Sequence, residues 1–187
     1  MARARGADDA ASPGDRRRAA GDEARIRARF KRLGPQRRAL IVALRPFSDD
    51  QGRFDRRMWT EAFTSGEPET IYRVVGATGT FERLVNHLNG MLVAGARLAQ
   101  LPVTRGPHAP SAPSVIDAVK DDGGLTANQA EVLIRLNRTR NRLQHASLDV
   151  DAEELHADIE LLLKTLHRLV ASYVAWLERH DIQLLRP

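Results

Sequence analysis

The sequence predicts an all-α protein, an antiparallel bundle of about four to five principal helices. Through most of the chain, apolar residues recur at intervals of three and four, which is the spacing of one helix face. No long stretch alternates apolar and polar residues, and aromatic residues make up only 5% of the chain, which disfavours a β-sheet protein. Hydrophobic residues make up 42% of the 187, which is enough for the buried core of a single domain.

The first 22 residues are predicted to be a disordered leader. They are mostly Ala, Arg, Gly, Asp and Pro, with almost no large apolar side chain to offset the entropy lost on ordering. The helical pattern follows, so residues 23–182 are assigned to the bundle. Gly34 and Pro35 interrupt the first apolar run, which predicts either two short helices or one bent helix before Pro46.

Apolar spacing and turn residues divide the rest of the chain. The predicted segments are a helix over residues 49–65, a helix from Pro68 to about Ala96, a loop from Leu101 to Pro113, a short helix from Ser114 to Asp121, a helix over residues 127–146 and a final amphipathic helix after Asp151. Thr126 is a suitable N-cap for the helix over 127–146. Asp151 and Glu154 have the spacing of a capping box at the start of the final helix.

Basic residues are concentrated at the start of the chain. Residues 1–45 contain 13 Lys and Arg against 5 Asp and Glu, whereas residues 46–187 contain 16 against 19. A basic arm can attract nucleic acid by releasing counterions, and it can equally be a solubilising tail.

Cysteine content and hydropathy exclude several classes of protein. The chain has no cysteine, so disulfides and thiolate metal sites are excluded. It contains no apolar run near ~18 residues and no apolar stretch typical of a secretory signal. We therefore expect a cytoplasmic protein that does not cross a membrane.

The most informative motif is the hexapeptide RNRLQH over residues 140–145. Arg140 can grip two phosphate oxygens and neutralise the charge on them. His145, with an ordinary pKa near ~6.5, can accept or donate a proton near neutral pH. Asn141 precedes His145 by four residues, so its amide can share a helix face with the ring and orient it. These groups suffice to cleave a phosphodiester without a metal, although Arg and His also occur together on ordinary solvated helix faces.

Helical geometry raises a question about this motif. At about 100° per residue, Arg140 falls inside an apolar stripe, where a charge needs a partner. That stripe contains Val132, Leu133, Leu136 and Leu143. The partner is either a carboxylate of another helix or a bound phosphate. On a regular helix Arg140 and His145 lie ~140° apart. They converge only if the helix loosens near His145 or if a second subunit supplies one of them.

The remaining histidines do not form a metal-binding pattern. His156 and His167 lack the i, i+4 spacing of paired ligands on a helix. His87 and His180 are expected at the surface or at helix ends. We therefore expect no metal site. No glycine-rich phosphate loop follows a strand, and we expect no other cofactor.

From Pro113 to about Leu177 the sequence resembles the HEPN superfamily, and more narrowly the toxin of HEPN–nucleotidyltransferase toxin–antitoxin pairs. The HEPN motif is Arg, a polar residue, three variable residues and His. The residues that carry the resemblance are Ser114-Val115-Ile116-Asp117-Ala118, Gly124-Leu125, and Arg140, Asn141 and His145 at the motif positions, followed by a capped acidic helix with a regular Leu pattern.

The resemblance implies a helical bundle that dimerises with two motifs facing one cleft and cleaves RNA without a metal, as a toxin or phage-defence effector. By carry-over, His145 would be the base for the ribose hydroxyl or the acid for the leaving oxygen. Arg140 would bind the scissile phosphate, and Asn141 would orient His145 or the substrate. Arg138 and Arg142 are candidates for binding RNA beside the motif.

The resemblance also bears on partners. It implies RNA as substrate, a second copy of the chain, and a nucleotidyltransferase-type antitoxin. Such toxins often carry, two residues after the His, a Tyr that the partner modifies. Here that position is Ser147, so the resemblance does not extend to control through that tyrosine.

Two alternatives stay open. One is a non-catalytic helical bundle that binds RNA or a protein partner. The other is a DNA-binding regulator, suggested by Leu125-Thr126-Ala127-Asn128-Gln129-Ala130 before an apolar helix, although no second recognition helix is evident. Cleavage of RNA separates the enzyme from the first alternative, and preference for duplex DNA over single-stranded RNA identifies the second.

Overall fold

The computed structural model describes residues 13–104, 108–145 and 150–182, and of residues 13–19 the backbone alone. Over those ranges it has no β-strand and six α-helices. They are α1 (Pro13–Leu44), α2 (Arg56–Phe63), α3 (Pro68–Leu98), α4 (Ala112–Asp121), α5 (Ala127–His145) and α6 (Ala152–Arg179). Four of the six are long, so the predicted all-α bundle is confirmed.

Helices α1 and α3 form an antiparallel pair. The ring Nε2 of His87, in the second half of α3, lies 2.6 Å from the carbonyl oxygen of Arg29 in α1. Near the other end of the pair, Arg97 of α3 lies 4.0 Å from Asp22 of α1. Helix α1 continues through Pro35. Of the two arrangements that the sequence left open, the structure therefore has the single helix.

The start of α1 differs from the expected domain boundary. The helix begins at Pro13, within the segment predicted to be a disordered leader. Tertiary contacts begin near Asp22, which is 9% exposed and pairs with Arg25 at 3.2 Å, and Ile26 is fully buried. Residues 1–12 lie outside the described residues, and the disorder of the leader stays a prediction.

Helix α2 is shorter than the helix predicted over residues 49–65. The chain from Asp49 to Asp55 forms a turn, in which the Asp49 carboxylate accepts the backbone N–H groups of Gln51 and Arg53 at 3.0 and 2.8 Å. Short acidic side chains that bond nearby backbone groups compete with helix formation. Asp55 then caps α2 by accepting the N–H of Met58 at 2.8 Å.

The capping residues fix the starts of α5 and α6 as the sequence predicted. Thr126 and Gln129 exchange hydrogen bonds, with the N–H of Gln129 donating to the Thr126 hydroxyl at 3.2 Å and the N–H of Thr126 donating to the Gln129 side chain at 2.9 Å. The Asp151 carboxylate accepts the N–H of Glu154 at 2.8 Å. Both helices thus begin where side chains satisfy otherwise unpaired N–H groups.

All six helices contribute to one continuous core. The largest fully buried side chains are Ile26, Leu40, Trp59, Phe81, Leu84, Ile116, Leu136, Leu155, Ile159, Leu162, Trp176 and Leu177. The indole N–H of Trp59 donates to the carbonyl of Ala152 at 2.9 Å, which fixes α2 against the start of α6. None of the helices in the described ranges combines the length and the apolar composition that a membrane-spanning segment needs.

Candidate active site

Helix α5 pairs two of its arginines with carboxylates of α6. Arg135 donates from Nε to Oδ1 of Asp158 at 2.5 Å, and Arg142 donates from Nη2 to Oε1 of Glu154 at 2.5 Å. Asp158 is fully buried, and its second oxygen accepts the hydroxyl of Thr139. We call the Arg135–Asp158 and Arg142–Glu154 pairs the α5–α6 ladder.

The Arg142–Glu154 pair of the ladder keeps Arg142 charged and bound to an acid. The hydrogen bond from Arg142 lowers the pKa of the Glu154 carboxyl, and the same bond raises the pKa of the Arg142 guanidinium. Both shifts favour the charged pair. Arg142, predicted to bind substrate, is therefore held by an acid of its own chain, although its side chain is 41% exposed.

Arg140 lies between these two pairs in sequence but has a different environment. It is half-buried, and Nη1 donates to the side-chain oxygen of Asn141 at 2.7 Å. Its Nε is buried and has no hydrogen-bond partner. Over the described ranges no carboxylate lies within ion-pair distance of Arg140. A buried donor of a charged group is costly to leave unpaired, so Arg140 lacks the compensation that Arg135 and Arg142 have.

The other motif residues lie around the end of α5. His145 is the last residue of the helix, is exposed and makes no hydrogen bond to another described residue. Asn141 was expected to orient His145 or the substrate, which stays a prediction, and its amide oxygen accepts from Arg140. Arg138 is exposed and has no ion pair in the part of the chain that the structure covers.

The regularity of α5 decides one question that the sequence left open. The helix continues without a break through His145, so loosening does not bring His145 round to Arg140. At about 100° per residue the two side chains leave the helix in directions ~140° apart. The remaining way for the two groups to meet at one phosphate is across two copies of the chain.

A buried amide pair fixes α5 against α3 one turn before Arg140. Asn137 is 2% exposed. It exchanges side-chain hydrogen bonds of 2.6 and 3.0 Å with Asn89 of α3, and its Nδ2 also donates to the carbonyl of Leu133 at 2.8 Å. With its polar groups satisfied in this way, Asn137 sets the register between the two helices. This pair was not predicted from the sequence, although an Asn inside the apolar stripe of α5 was its visible signal.

Two cavities of the described residues lie away from the motif. A groove of about 540 Å³ runs between α1 and α6. It is lined by Leu33, Gly34, Arg37, Leu163, Leu166, His167, Val170 and Ala171. A smaller apolar cavity of about 20 Å³ lies among α3, α5 and α6. Arg140 and His145 line neither of these two cavities.

An exposed apolar patch lies on the α1–α3 pair. We call it the α1–α3 patch, and its members with their exposed fractions are Ile41 (37%), Val42 (53%), Ile71 (46%), Tyr72 (80%) and Val75 (61%). The antiparallel pairing places the end of α1 beside the start of α3. Large exposed apolar residues grouped in this way are typical of surfaces that contact another protein.

The histidines include one that the sequence misplaced. His87 was expected at the surface or a helix end, and it is only 6% exposed, with its ring against the Arg29 carbonyl. Burial lowers the pKa of His87. His180 follows the end of α6 as expected, with Nε2 2.6 Å from an oxygen of Asp122. Within the described ranges, no three His, Asp or Glu side chains come together in a way that could hold a metal ion.

No family model matches this chain, and neither a curated protein nor a solved structure matches it. The resemblance to the HEPN superfamily therefore depends on the motif residues and their neighbours in the sequence.

Proposed function

We propose that this protein is a metal-independent endoribonuclease of the HEPN type that works as a homodimer, as a toxin or phage-defence effector. The observation that carries the proposal is the state of Arg140. On the same helix Arg135 and Arg142 are neutralised by α6, whereas Arg140 has no acid partner in the described ranges and retains an unpaired buried Nε. An RNA phosphate supplies the negative charge and the hydrogen-bond acceptors that this guanidinium lacks.

The proposed chemistry uses one arginine and one histidine. The ribose 2′ oxygen attacks the adjacent phosphorus and loses its proton, and the bond from phosphorus to the 5′ oxygen breaks as that oxygen gains a proton. His145 accepts the first proton or donates the second. Arg140 stabilises the added negative charge on the phosphoryl oxygens, which is where a positioned cation contributes most.

The proposed dimer combines Arg140 of one copy with His145 of the other. The regular course of α5 supports this arrangement, because the two groups diverge within a single chain. The α1–α3 patch offers apolar surface that a second copy can bury. A nucleotidyltransferase-type antitoxin is a further partner that the HEPN resemblance implies.

The first experiment compares His145→Ala with His167→Ala on a single-stranded RNA substrate. Loss of a positioned acid or base is expected to lower the cleavage rate by ~100- to 10,000-fold. His167 is an exposed histidine of α6 and serves as the matched control, with cleavage expected to stay near that of the unaltered protein. Circular dichroism and the thermal midpoint confirm that both variants fold. Unchanged cleavage by His145→Ala contradicts the proposal.

A second experiment tests the shared site by mixing two inactive variants. In a two-fold dimer of Arg140→Gln with His145→Ala, one of the two sites retains both groups. After subunit exchange at equal concentrations, about a quarter of full activity is expected, because half of the dimers are mixed and each has one intact site. No recovery in a mixture shown to exchange subunits places both groups in one chain and contradicts the shared site.

The alternative is a non-catalytic bundle that binds RNA or a protein partner. The exposed α1–α3 patch favours it, since that surface suits a protein partner whether or not the motif is catalytic. This alternative predicts that the unaltered protein does not cleave RNA. It also predicts that His145→Ala binds RNA or the protein partner as well as the unaltered protein does.

A further inference from the structure

We propose that the outward face of α1 is a second RNA-binding surface that holds the phosphate backbone away from the motif. Its central residues are Lys31 and Arg38 on α1 and Arg45 directly after it, which we call the α1 row. The inference takes its ligand, RNA, from the proposed function, but it concerns binding and not cleavage.

The charge of this segment is entirely positive. Between Glu23 and Asp49 the chain contains eight Lys and Arg and no Asp or Glu. Elsewhere on the surface, cations usually have an acid close by, as in the pairs Arg53–Asp49, Arg57–Glu61, Arg73–Glu69 and Lys164–Glu160. Such pairs lower the local potential. In the segment that contains the α1 row, Arg25 and Arg27 pair with the preceding Asp22 and Glu23, and the segment has no acid of its own for the cations that follow.

The three cations of the α1 row are exposed to solvent and unpaired among the residues that the structure describes. Lys31, Arg38 and Arg45 are all exposed, and no carboxylate in the described part of the chain lies within ion-pair distance of any of them. The opposite face of the helix is buried by Ile26, Leu33, Leu40 and Leu44. The bundle therefore fixes α1 with its cations facing outward.

The spacing of the row makes it nearly linear. Successive members are seven residues apart, which is almost two full helical turns and a rise of ~10.5 Å. Lys31 and Arg45 are thus ~21 Å apart along one side of a helix that the core holds rigid. A rigid line of cations suits an extended chain of phosphates, and binding releases the counterions condensed on that chain.

The composition of the face favours RNA over a membrane surface. An amphipathic helix that lies in a membrane needs large apolar side chains on the side that enters the lipid. Here the large apolar side chains of α1 are mostly in the core, and only Ile41 and Val42, near the end of the helix, are exposed. Gly34 and Pro35 lie between the first two cations of the row. The attraction is therefore mainly electrostatic.

The row leads towards the motif end of the bundle. Arg45 is the first residue of the short 3-10 helix Arg45–Phe47, and α2 is the next helix along the chain. Arg56 of α2 pairs with Glu153 in the first turn of α6, next to the Glu154 that holds Arg142 of α5. An RNA strand that follows α1 towards Arg45 therefore approaches the end of α5 that carries His145.

The test measures binding of a single-stranded RNA oligonucleotide across a range of KCl concentrations. All proteins carry His145→Ala so that the RNA stays intact. The row variant is Lys31→Gln, Arg38→Gln and Arg45→Gln together. Its control is Arg57→Gln, Arg73→Gln and Lys164→Gln together, which removes the same charge from cations that are already paired.

Losing three phosphate contacts is expected to reduce the slope of log affinity against log salt by about 2 and the affinity at ~0.1 M salt by roughly 100-fold. The control variant is expected to keep the original slope. A row variant with an unchanged slope, or a control that loses as much as the row variant, overturns the inference. So does a row variant that loses binding to phosphatidylserine vesicles but keeps its RNA affinity.

Cleavage measurements separate this inference from the proposed function. In the chain with His145 intact, the row variant is expected to raise KM and leave kcat unchanged, since these cations do not touch the reacting atoms. If His145→Ala leaves RNA cleavage unchanged while the row variant loses RNA binding, the nuclease proposal is wrong and the α1 row is supported as an RNA-binding surface. If His145→Ala abolishes cleavage while the row variant binds RNA normally, only the α1 row fails.

Discussion

Two sides of α5 use the same residue type for different purposes. On the side facing α6, Arg135 and Arg142 are each bound by a carboxylate. On the other, Arg140 has only the amide of Asn141 as a partner within the described ranges, and its Nε is unpaired there. The ladder side holds two helices together, and the Arg140 side presents a charge that no acid of the described residues compensates. A guanidinium therefore either holds two helices together or is a candidate site for a ligand, depending on which side chains of the neighbouring helix lie opposite it.

The largest expected effect comes from exchanging single arginines on the two sides. Arg140→Gln is expected to lower kcat/KM for RNA by about 100- to 1,000-fold, which is the usual loss when one donor to a developing charge is removed. Its free energy of unfolding should change little, because no acid in the described part of the chain loses a partner. Arg142→Gln is the matched control and should cleave RNA nearly as well as the unaltered protein. Equal loss of cleavage in both variants contradicts the division between the two sides.

The buried acid of the ladder gives the largest expected effect on stability. Asp158→Ala leaves Arg135 and Thr139 without their acceptor, and it is expected to lower the free energy of unfolding by about 2 to 3 kcal/mol. Glu160→Ala removes an acid of the same helix whose partner Lys164 is 67% exposed, and it should cost no more than ~0.5 kcal/mol. Urea denaturation at neutral pH measures both. A similar decrease in the free energy of unfolding in the two variants contradicts a larger contribution from the buried pair.

The exposed pair of the ladder should respond to pH. Arg142 lowers the pKa of Glu154, so the stability from this pair is present above the ordinary value of 4.5 and is lost as the pH falls through the lowered folded value. Both partners are partly exposed, so the contribution is expected to stay below about 1 kcal/mol. Glu154→Gln should therefore be less stable than the unaltered protein at pH 7, and the difference should disappear at pH 3. A difference in stability that persists at pH 3 does not come from the charge of Glu154.

The smallest expected effect concerns His87, away from both sides of α5. Burial lowers its pKa, and the positive charges of Arg29 and Arg32 act in the same direction. The unfolded chain therefore binds a proton more readily, and stability should fall as the pH drops below the ordinary value of 6.5. His87→Gln, which keeps a donor for the Arg29 carbonyl, should flatten the thermal midpoint between pH 7 and 5. The exposed variant His167→Gln should keep the original slope.

The sequence predicted the helices well where local signals agree. Thr126 and Asp151 marked the starts of α5 and α6, because a capping side chain acts on N–H groups only a few residues away. The helix over 49–65 was too long because the side chain of Asp49 bonds the backbone of a turn instead. His87 was misplaced because its burial depends on α1, which lies far from it in sequence.

By itself, the sequence determined the all-α class and the position of Arg140, Asn141 and His145 at the end of one helix, since helical spacing and caps are local properties. Only the tertiary structure decided which arginines have acids opposite them. Asp158 and Glu154 belong to another helix, and their register against α5 depends on how the buried side chains of the two helices pack. Because a charge interacts with whatever lies within a few ångströms, whether a cation is free depends on that packing.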